Sequence, residues 1–301
     1  MASTTARIPA IVNLAAGTAS AARAALSESG AFEVHEVQPD AIAATVKRLV
    51  ASGARRVLVA GGDGTIATAA AVLAGTPTEL AVLPAGTLNH FARHLGISTV
   101  AAEALALATG AACRRVDVGM VNGRIFLNTS SVGAYVRFVR MRESLEPTVG
   151  YGIASAIAAF RILFTLRLVA VEVDVDDRTR IYRTALVFIG VGERELQLPR
   201  LGERVPNGKR GLHMIVVSGR SRARLLALGL AAVARGVDSV SRTPEVENII
   251  VDRLRIGMHG AGMVAVDGEI ERFSSPLEYE LRRDALTVVC PPPESLLAGS
   301  S

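Results

Sequence analysis

The chain has no tryptophan, and aromatic residues make up 4% of its 301 residues. Stacking platforms for single-stranded nucleic acid are poorly supplied, so no nucleic-acid partner is expected. It has two cysteines, Cys113 and Cys290, with no neighbouring ligand cluster. That argues against both a zinc site and a disulfide scaffold, and reduced thiols in the cytoplasm are the default. A long uninterrupted apolar run is also missing. The most apolar stretch, Tyr151–Val171, is interrupted by Arg161 and Arg167, so no spanning helix is expected and any membrane contact is read as peripheral. No signal peptide is evident in Met1–Pro9. Repeats and low-complexity segments are absent. What is there is a half-hydrophobic, glycine-rich chain of formal charge +5. Its length suits two domains, each with its own core. Its charge suits an anionic partner: nucleic acid, acidic membrane or nucleotide.

The chain is organised around Val57-Leu58-Val59-Ala60-Gly61-Gly62-Asp63-Gly64-Thr65. Small apolar residues run into a glycine turn, and an apolar stretch, Ile66–Ala74, follows. That order predicts a buried strand, a tight turn and a helix start. The glycines permit close approach of the main chain to a ligand, and Thr65 is placed to cap the helix. Free N–H groups at a helix start make an anion site, for phosphate above all. Asp63 would repel phosphate unless a divalent cation lies between them, which suggests Mg²⁺ held against a nucleotide. Taken alone, the same residues also suit a plain glycine turn with a hydrogen-bonded Asp.

A second loop decides between these readings. Leu80–Leu83 reads as a buried strand running into Pro84-Ala85-Gly86-Thr87-Leu88-Asn89-His90-Phe91-Ala92-Arg93. Gly86 permits close approach, Thr87 and Asn89 offer hydrogen bonds, and Arg93 offers charge. Two phosphate-type loops, each after a strand and one β–α unit apart, are far more informative than either alone. Upstream, Ile8–Leu14 ends in Asn13-Leu14-Ala15-Ala16-Gly17, and Ser20–Ser29 has helical composition, a common start for a nucleotide-binding α/β unit. Phe32–Val37 reads as a strand, and Asp40–Ser52 as an amphipathic helix with Ile42, Val46, Leu49 and Val50 on one face.

After the helix Val100–Thr109 and the strand Arg114–Val118, which carries Asp117, Asn122-Gly123 signals a hairpin. Alternation then replaces the β–α rhythm, so the boundary is set there: residues 1–121 form one domain and 122–289 the next, with 290–301 packing back on the first. In the second half, strands are predicted at Ile125–Thr129, Leu166–Val175, Ile181–Val191, Leu212–Ser218, Val246–Met258, Met263–Asp267, Glu271–Leu281 and Ala285–Val289. Helices are predicted within Ser130–Glu146 and over Gly150–Thr165 and Ala223–Val237.

Gly61-Gly62-Asp63-Gly64-Thr65, the Leu83–Arg93 loop and Asp267-Gly268-Glu269 together resemble the diacylglycerol kinase catalytic-domain family, which includes soluble bacterial lipid kinases and sphingosine kinases. The resemblance runs from about Ile8 to Val289. It implies an α/β plus β fold: an N-terminal Rossmann-like α/β nucleotide-binding domain and a C-terminal antiparallel β-sandwich, with the active site in the cleft between them. It implies a kinase of lipid metabolism that uses ATP and Mg²⁺ to phosphorylate a lipid hydroxyl at a membrane surface. By the resemblance, Asn13 and Gly17 match the first nucleotide loop. Gly61, Gly62, Gly64 and Thr65 cradle phosphate, Asp63 holds Mg²⁺, and Gly86, Thr87 and Asn89 form the second nucleotide loop. Asp117 matches an acidic position near the metal, and Asp267 and Glu269 match the acidic pair that supplies the general base. Without the resemblance, Asp267-Gly268 reads as an ordinary hairpin turn.

The chain departs from the family in three places. No threonine stands at Val37 or Gln38, His90 replaces an Asp after Asn89, and Lys209-Arg210-Gly211-Leu212-His213-Met214 replaces an acidic run that binds a structural metal. That metal site is read as absent, with Lys209 or Arg210 standing in for the cation or catalysis lost. Two alternatives stay open: a non-catalytic nucleotide- or lipid-binding protein of the same fold, and a nucleotide kinase like NAD kinase. The lipid is left open among diacylglycerol, phosphatidylglycerol and a sphingoid base, as is a homodimer. Two apolar helices, Gly150–Thr165 and Ala223–Val237, are candidates for substrate access, and equally for core. Arg137, Arg140 and Arg142, with Arg220, Arg222 and Arg224, suit anionic headgroups or a solvated face.

Overall fold

The computed structural model describes residues 7–165, 168–175, 178–195, 203–205, 207–218, 246–258 and 262–292. The expected helix Ala223–Val237 and the Arg220, Arg222 and Arg224 group lie outside the described residues. The chain divides into two compact units, Met1–Val118 with Arg282–Ser301, and Gly119–Leu281.

The first unit follows the expected β–α rhythm. Its elements are β1 (Ile8–Asn13), α1 (Ala19–Ser29), β2 (Phe32–Val37), α2 (Ile42–Ala51), β3 (Arg56–Gly61), α3 (Asp63–Leu73), β4 (Glu79–Pro84), α4 (His90–His94), α5 (Ala101–Thr109) and the start of β5 (Cys113–Val121). Strands β4, β3, β1 and β2 lie side by side and parallel. A parallel sheet is covered on both faces, so its strands read as continuous apolar runs; Val57 to Gly61 are all buried. α2 buries Ile42, Thr45, Val46 and Leu49, one helical face. The strand order reverses between β1 and β3. Ligands of open α/β sheets bind at the carboxyl ends of strands at such a reversal, and Asn13 and Gly61 are the last residues of those two strands.

The chain enters the second unit within β5 and leaves it within β15 (Leu277–Val289). Between them come β6 (Arg124–Phe126), β7 (Thr129–Gly133), α6 (Ala134–Phe164), β8 (Val169–Val175), β9 (Arg178–Val191), β10 (Leu212–Ser218), β11 (Val246–Val251), β12 (Arg253–Gly257), β13 (Gly262–Val266) and β14 (Glu269–Phe273). The long β9 is shared by two antiparallel layers. Its first half pairs with β8, and its second half with β7 and β10. One layer runs β11-β10-β9-β7-β13-β14 and the other β9-β8-β12-β15. Both contribute to one apolar core, with Val187, Ile189, Leu212, Met214 and Val264 from the first and Val171, Val173, Ile256 and Leu277 from the second.

Several boundaries differ from expectation. Ile125–Thr129 is not one strand: β6 ends at Phe126, and β7 starts at Thr129 because it pairs with β9 and β13. The helix expected within Ser130–Glu146 therefore starts at Ala134. It runs on past Pro147 to Phe164, with a break at Gly150 (φ 76°). Glu271–Leu281 splits into β14 and β15, while Ala285–Val289 joins β15. Residues 282–289, expected with the second domain, fall with the first unit, where Val288 pairs in parallel with Leu80. Both cysteines are free, Cys113 exposed and Cys290 buried. No helix among the described residues is long and apolar enough to cross a membrane.

Tyr279 is the largest side chain buried in the second core. Its ring meets Phe126 edge-on at 6.3 Å, and its hydroxyl lies 3.0 Å from Ser130 Oγ. Burial pushes its phenol above the ordinary range. Tyr279→Phe leaves Ser130 Oγ buried without that partner, at a cost of about 1–3 kcal/mol. A thermal melt is expected to show a midpoint lower by several degrees.

Candidate functional site

In the first unit the two glycine loops are in van der Waals contact. A Cβ added at Gly86 would lie 2.5 Å from Gly62 Cα, and one added at Gly61 would lie 2.5 Å from the Thr65 side chain. Neither position has room for a side chain. Asn13 Nδ2 donates to Thr65 Oγ1 at 2.8 Å and its Oδ1 accepts from Ala15 N at 3.0 Å, so one amide joins the end of β1 to the start of α3. Thr18 Oγ1 donates to Ala85 O at 3.1 Å, tying the first loop to the one after β4.

Asn89 closes its own loop. Its Oδ1 accepts from Gly86 N at 2.9 Å and its Nδ2 donates to Gly86 O at 2.7 Å. It holds the left-handed φ of 50° that Asn tolerates. Asp63 then clamps the two loops together: Oδ2 accepts from His90 N and Oδ1 from Phe91 N, each at 3.0 Å.

Ile66 N bonds to Gly62 O, so the amides of Asp63, Gly64 and Thr65 have no acceptor within α3. With the helix dipole behind them, amides so placed favour a negative charge. Gly17 and Thr87 are exposed, as are Arg93 and the side of His90. Each Asp63 oxygen accepts one N–H and keeps a second lone pair. Among the described residues no three His, Cys, Asp or Glu side chains group as a metal cage. Mg²⁺ in nucleotide sites asks for only one or two carboxylates, with phosphates and water completing the shell, so Asp63 fits. Asp117 is buried and engaged otherwise: its Oδ1 accepts from Asp284 N at 2.9 Å, and Arg115 Nε donates to Asp284 O at 2.9 Å. It braces a residue of β15 that has a positive φ of 50°.

In the second unit, Asp267 and Gly268 form the two-residue loop between β13 and β14, with φ of 47° and 91°. Asp-Gly suits such a turn, so the hairpin reading holds. The Asp267 carboxylate does more: Oδ2 accepts from Leu127 N at 2.7 Å, and Oδ1 from Asn128 N at 2.8 Å and Thr129 N at 3.0 Å. Its own N–H donates to Thr129 O at 2.8 Å. The hairpin is thereby fastened to the corner between β6 and β7. Glu269 is freer. Its side chain is 55% exposed, and its Oε2 lies 3.4 Å from Arg124 Nη2, while Glu271 Oε1 takes Arg124 Nε at 2.9 Å.

Sequence reasoning missed four things: the clamp of Asp63 on the second loop, the Thr18 tie, Arg124, and a buried arginine, Arg194. The first joins residues 27 and 28 positions apart in the chain. The others are single polar residues outside any motif.

With that geometry in place, comparison with known proteins becomes specific. Residues 8–121 match the family model described as the diacylglycerol kinase catalytic domain. Proteins named "Probable lipid kinase YegS-like" are similar over 90 residues: 44% identity for one from Pseudomonas aeruginosa strain UCBPP-PA14 and 41% for one from Pseudomonas syringae pv. tomato. Those matches cover 29% of this chain and about 30% of the relatives' own length. Structures from Bacillus anthracis str. Sterne align over 95% of this chain and 97% of theirs at 22% identity. TM-scores are 0.73, 0.74 and 0.66, the last for one titled as a diacylglycerol kinase. At that identity the likeness shows the fold: an N-terminal α/β domain and a C-terminal β domain.

Two substitutions and one control test these contacts. Gly86→Ala forces the loop backbones apart and is expected to cost about 1–3 kcal/mol, seen as a lower urea midpoint. Asp267→Ala strips three backbone donors of their carboxylate and is expected to cost about 3 kcal/mol or more. Glu269→Ala, at an exposed position, is expected to stay within about 0.5 kcal/mol of the parent in the same titration.

Proposed function

We propose that the chain is a lipid kinase that transfers the γ-phosphate of ATP, with Mg²⁺, to a hydroxyl of a diacylglycerol-like lipid. The observation that carries this reading is the contact of two glycine loops, after β3 and β4, beside the strand-order reversal and inside the stretch matched by the diacylglycerol kinase catalytic family. Phosphoryl transfer depends on positioning and on neutralising phosphate charge. The amides of Asp63, Gly64 and Thr65 are assigned the phosphates, and Gly86 lets the second loop approach them. Asn13 fixes the Thr65 hydroxyl. Asp63 would hold Mg²⁺ through its remaining lone pairs. When bound, that ion neutralises charge on the transferring phosphate.

The general base is assigned to Glu269. Both Asp267 oxygens already accept backbone N–H groups, whereas Glu269 meets one arginine at the edge of hydrogen-bond range. A carboxylate there would accept the lipid hydroxyl proton as the new P–O bond forms and the bond from the γ-phosphorus to the β,γ-bridging oxygen breaks, with ADP leaving. The lipid partner places the protein at the cytoplasmic face of a membrane, bound peripherally. Ile153, Ile157 and Phe160 support this, because they expose one apolar stripe of α6.

The test is turnover of ATP and Mg²⁺ against a panel of diacylglycerol, phosphatidylglycerol and a sphingoid base, with NAD as the control acceptor. A phosphorylated lipid is expected, and Glu269→Gln is expected to lower its rate about 10²- to 10⁴-fold with an unchanged melting temperature. ATP binding without turnover, or turnover of NAD alone, would overturn the reading.

A further inference from the structure

Arg194 follows β9 and is 7% exposed. A buried guanidinium is costly unless its hydrogen bonds are met and a negative charge lies near. Its Nη2 donates to Asn128 O, and to Val191 O at 2.9 Å. Asn128 O also accepts Val191 N at 3.0 Å. That carbonyl belongs to the same peptide plane as the Thr129 N–H, which donates to Asp267 Oδ1. The order is therefore guanidinium, carbonyl, amide, carboxylate. A cation at one end of such a chain polarises the peptide and strengthens the bond at the other.

Glycine at 190 leaves space for this side chain, since a Cβ there would meet Arg194 Nε and Cγ. The surroundings tune the charge. Burial and then Arg204 push the guanidinium down to about 10, and Asp267 opposes them; it remains a cation at neutral pH. His213, whose Nδ1 accepts Arg194 N at 2.8 Å, is buried and held below its usual range. Among the described residues, Glu193, Arg124, Glu269 and Glu271 are further charged groups near the turn or its support.

We propose that Arg194 is the positioning residue for the Asp267-Gly268-Glu269 turn, a built-in cation that acts on Asp267 through the 128–129 peptide. The proposal rests on the kinase reading only in calling Glu269 the base.

It is an alternative to the expectation that Lys209 or Arg210 replaces a structural cation. Residues 209–211 do not suit a divalent ion. Lys209 N donates to Glu193 Oε2 at 2.8 Å, and the Lys209 and Gly211 carbonyls accept Glu193 N at 3.0 Å and Gly192 N at 2.7 Å. On this proposal Arg194, one residue beyond that pairing, supplies a covalently held positive charge.

The test is a double-mutant cycle of Arg194→Met and Asp267→Asn by urea titration in EDTA, with the Thr129 amide proton followed by NMR. The product of the two single-variant losses in folding constant is expected to exceed the double-variant loss at least about tenfold. The Thr129 resonance is expected to move upfield in Arg194→Met, only part of the way in Arg194→Lys, and not at all in Lys209→Met. Should Arg194→Met fail to fold, the Arg194→Lys resonance decides. Fully multiplicative losses, or a Thr129 resonance unmoved in every Arg194 variant, would overturn the proposal. Turnover is a separate axis: coupling that holds while Glu269→Gln stays fully active leaves the positioning intact and removes only the base assignment.

Discussion

The contact of Gly62 with Gly86 is the constraint on which the rest depends. Two backbone turns that lack side chains meet at van der Waals distance, and the carboxylate of Asp63 locks them by taking the N–H groups of His90 and Phe91. Because the lock uses backbone donors, it fixes main-chain positions and not merely side-chain rotamers. A row of helix-start amides is then held still, with no acceptor inside its own helix. Preorganised donors of this kind need no rearrangement when an anion arrives, which is where much of their value lies.

The second unit uses the same device for a different end. Asp267 gathers the N–H groups of Leu127, Asn128 and Thr129, and a buried arginine supports it from behind through a peptide plane. In both units an aspartate in a motif spends its oxygens on the backbone of a distant segment. Motif carboxylates are usually read for the ligand they touch. Here the first thing each one does is hold the chain in place, and the neighbouring Glu269 is left exposed.

Much of this was legible in the sequence. The run Val57–Thr65 declares strand, turn and helix because its signals are local, four apolar residues and three glycines; the expected Thr65 cap is not formed, since the N-cap is Gly62 and the Thr65 hydroxyl, inside the helix, takes Asn13 Nδ2. The switch from β–α rhythm to alternation near Asn122-Gly123 was equally plain, since a period of two does not resemble a period near four. Strand ends in the second half were less legible. Asp284 has a positive φ, which looks like a break, yet β15 runs straight through it because Asp117 braces the residue from β5. Arg194 could not be found at all: an arginine in a charged, irregular stretch looks solvated until the fold buries it. The partners of Asp63 and Asp267 were hidden for the same reason, being set by tertiary structure and lying 27 to 140 residues away.

The central claim, that the two glycine loops of the first unit form a triphosphate cradle, is most directly tested by amide hydrogen exchange with and without saturating ATP and Mg²⁺. The account predicts that exchange slows at residues 62–65 and 86–89. Full saturation with no slowing there, or slowing confined to residues elsewhere in the chain, would contradict it.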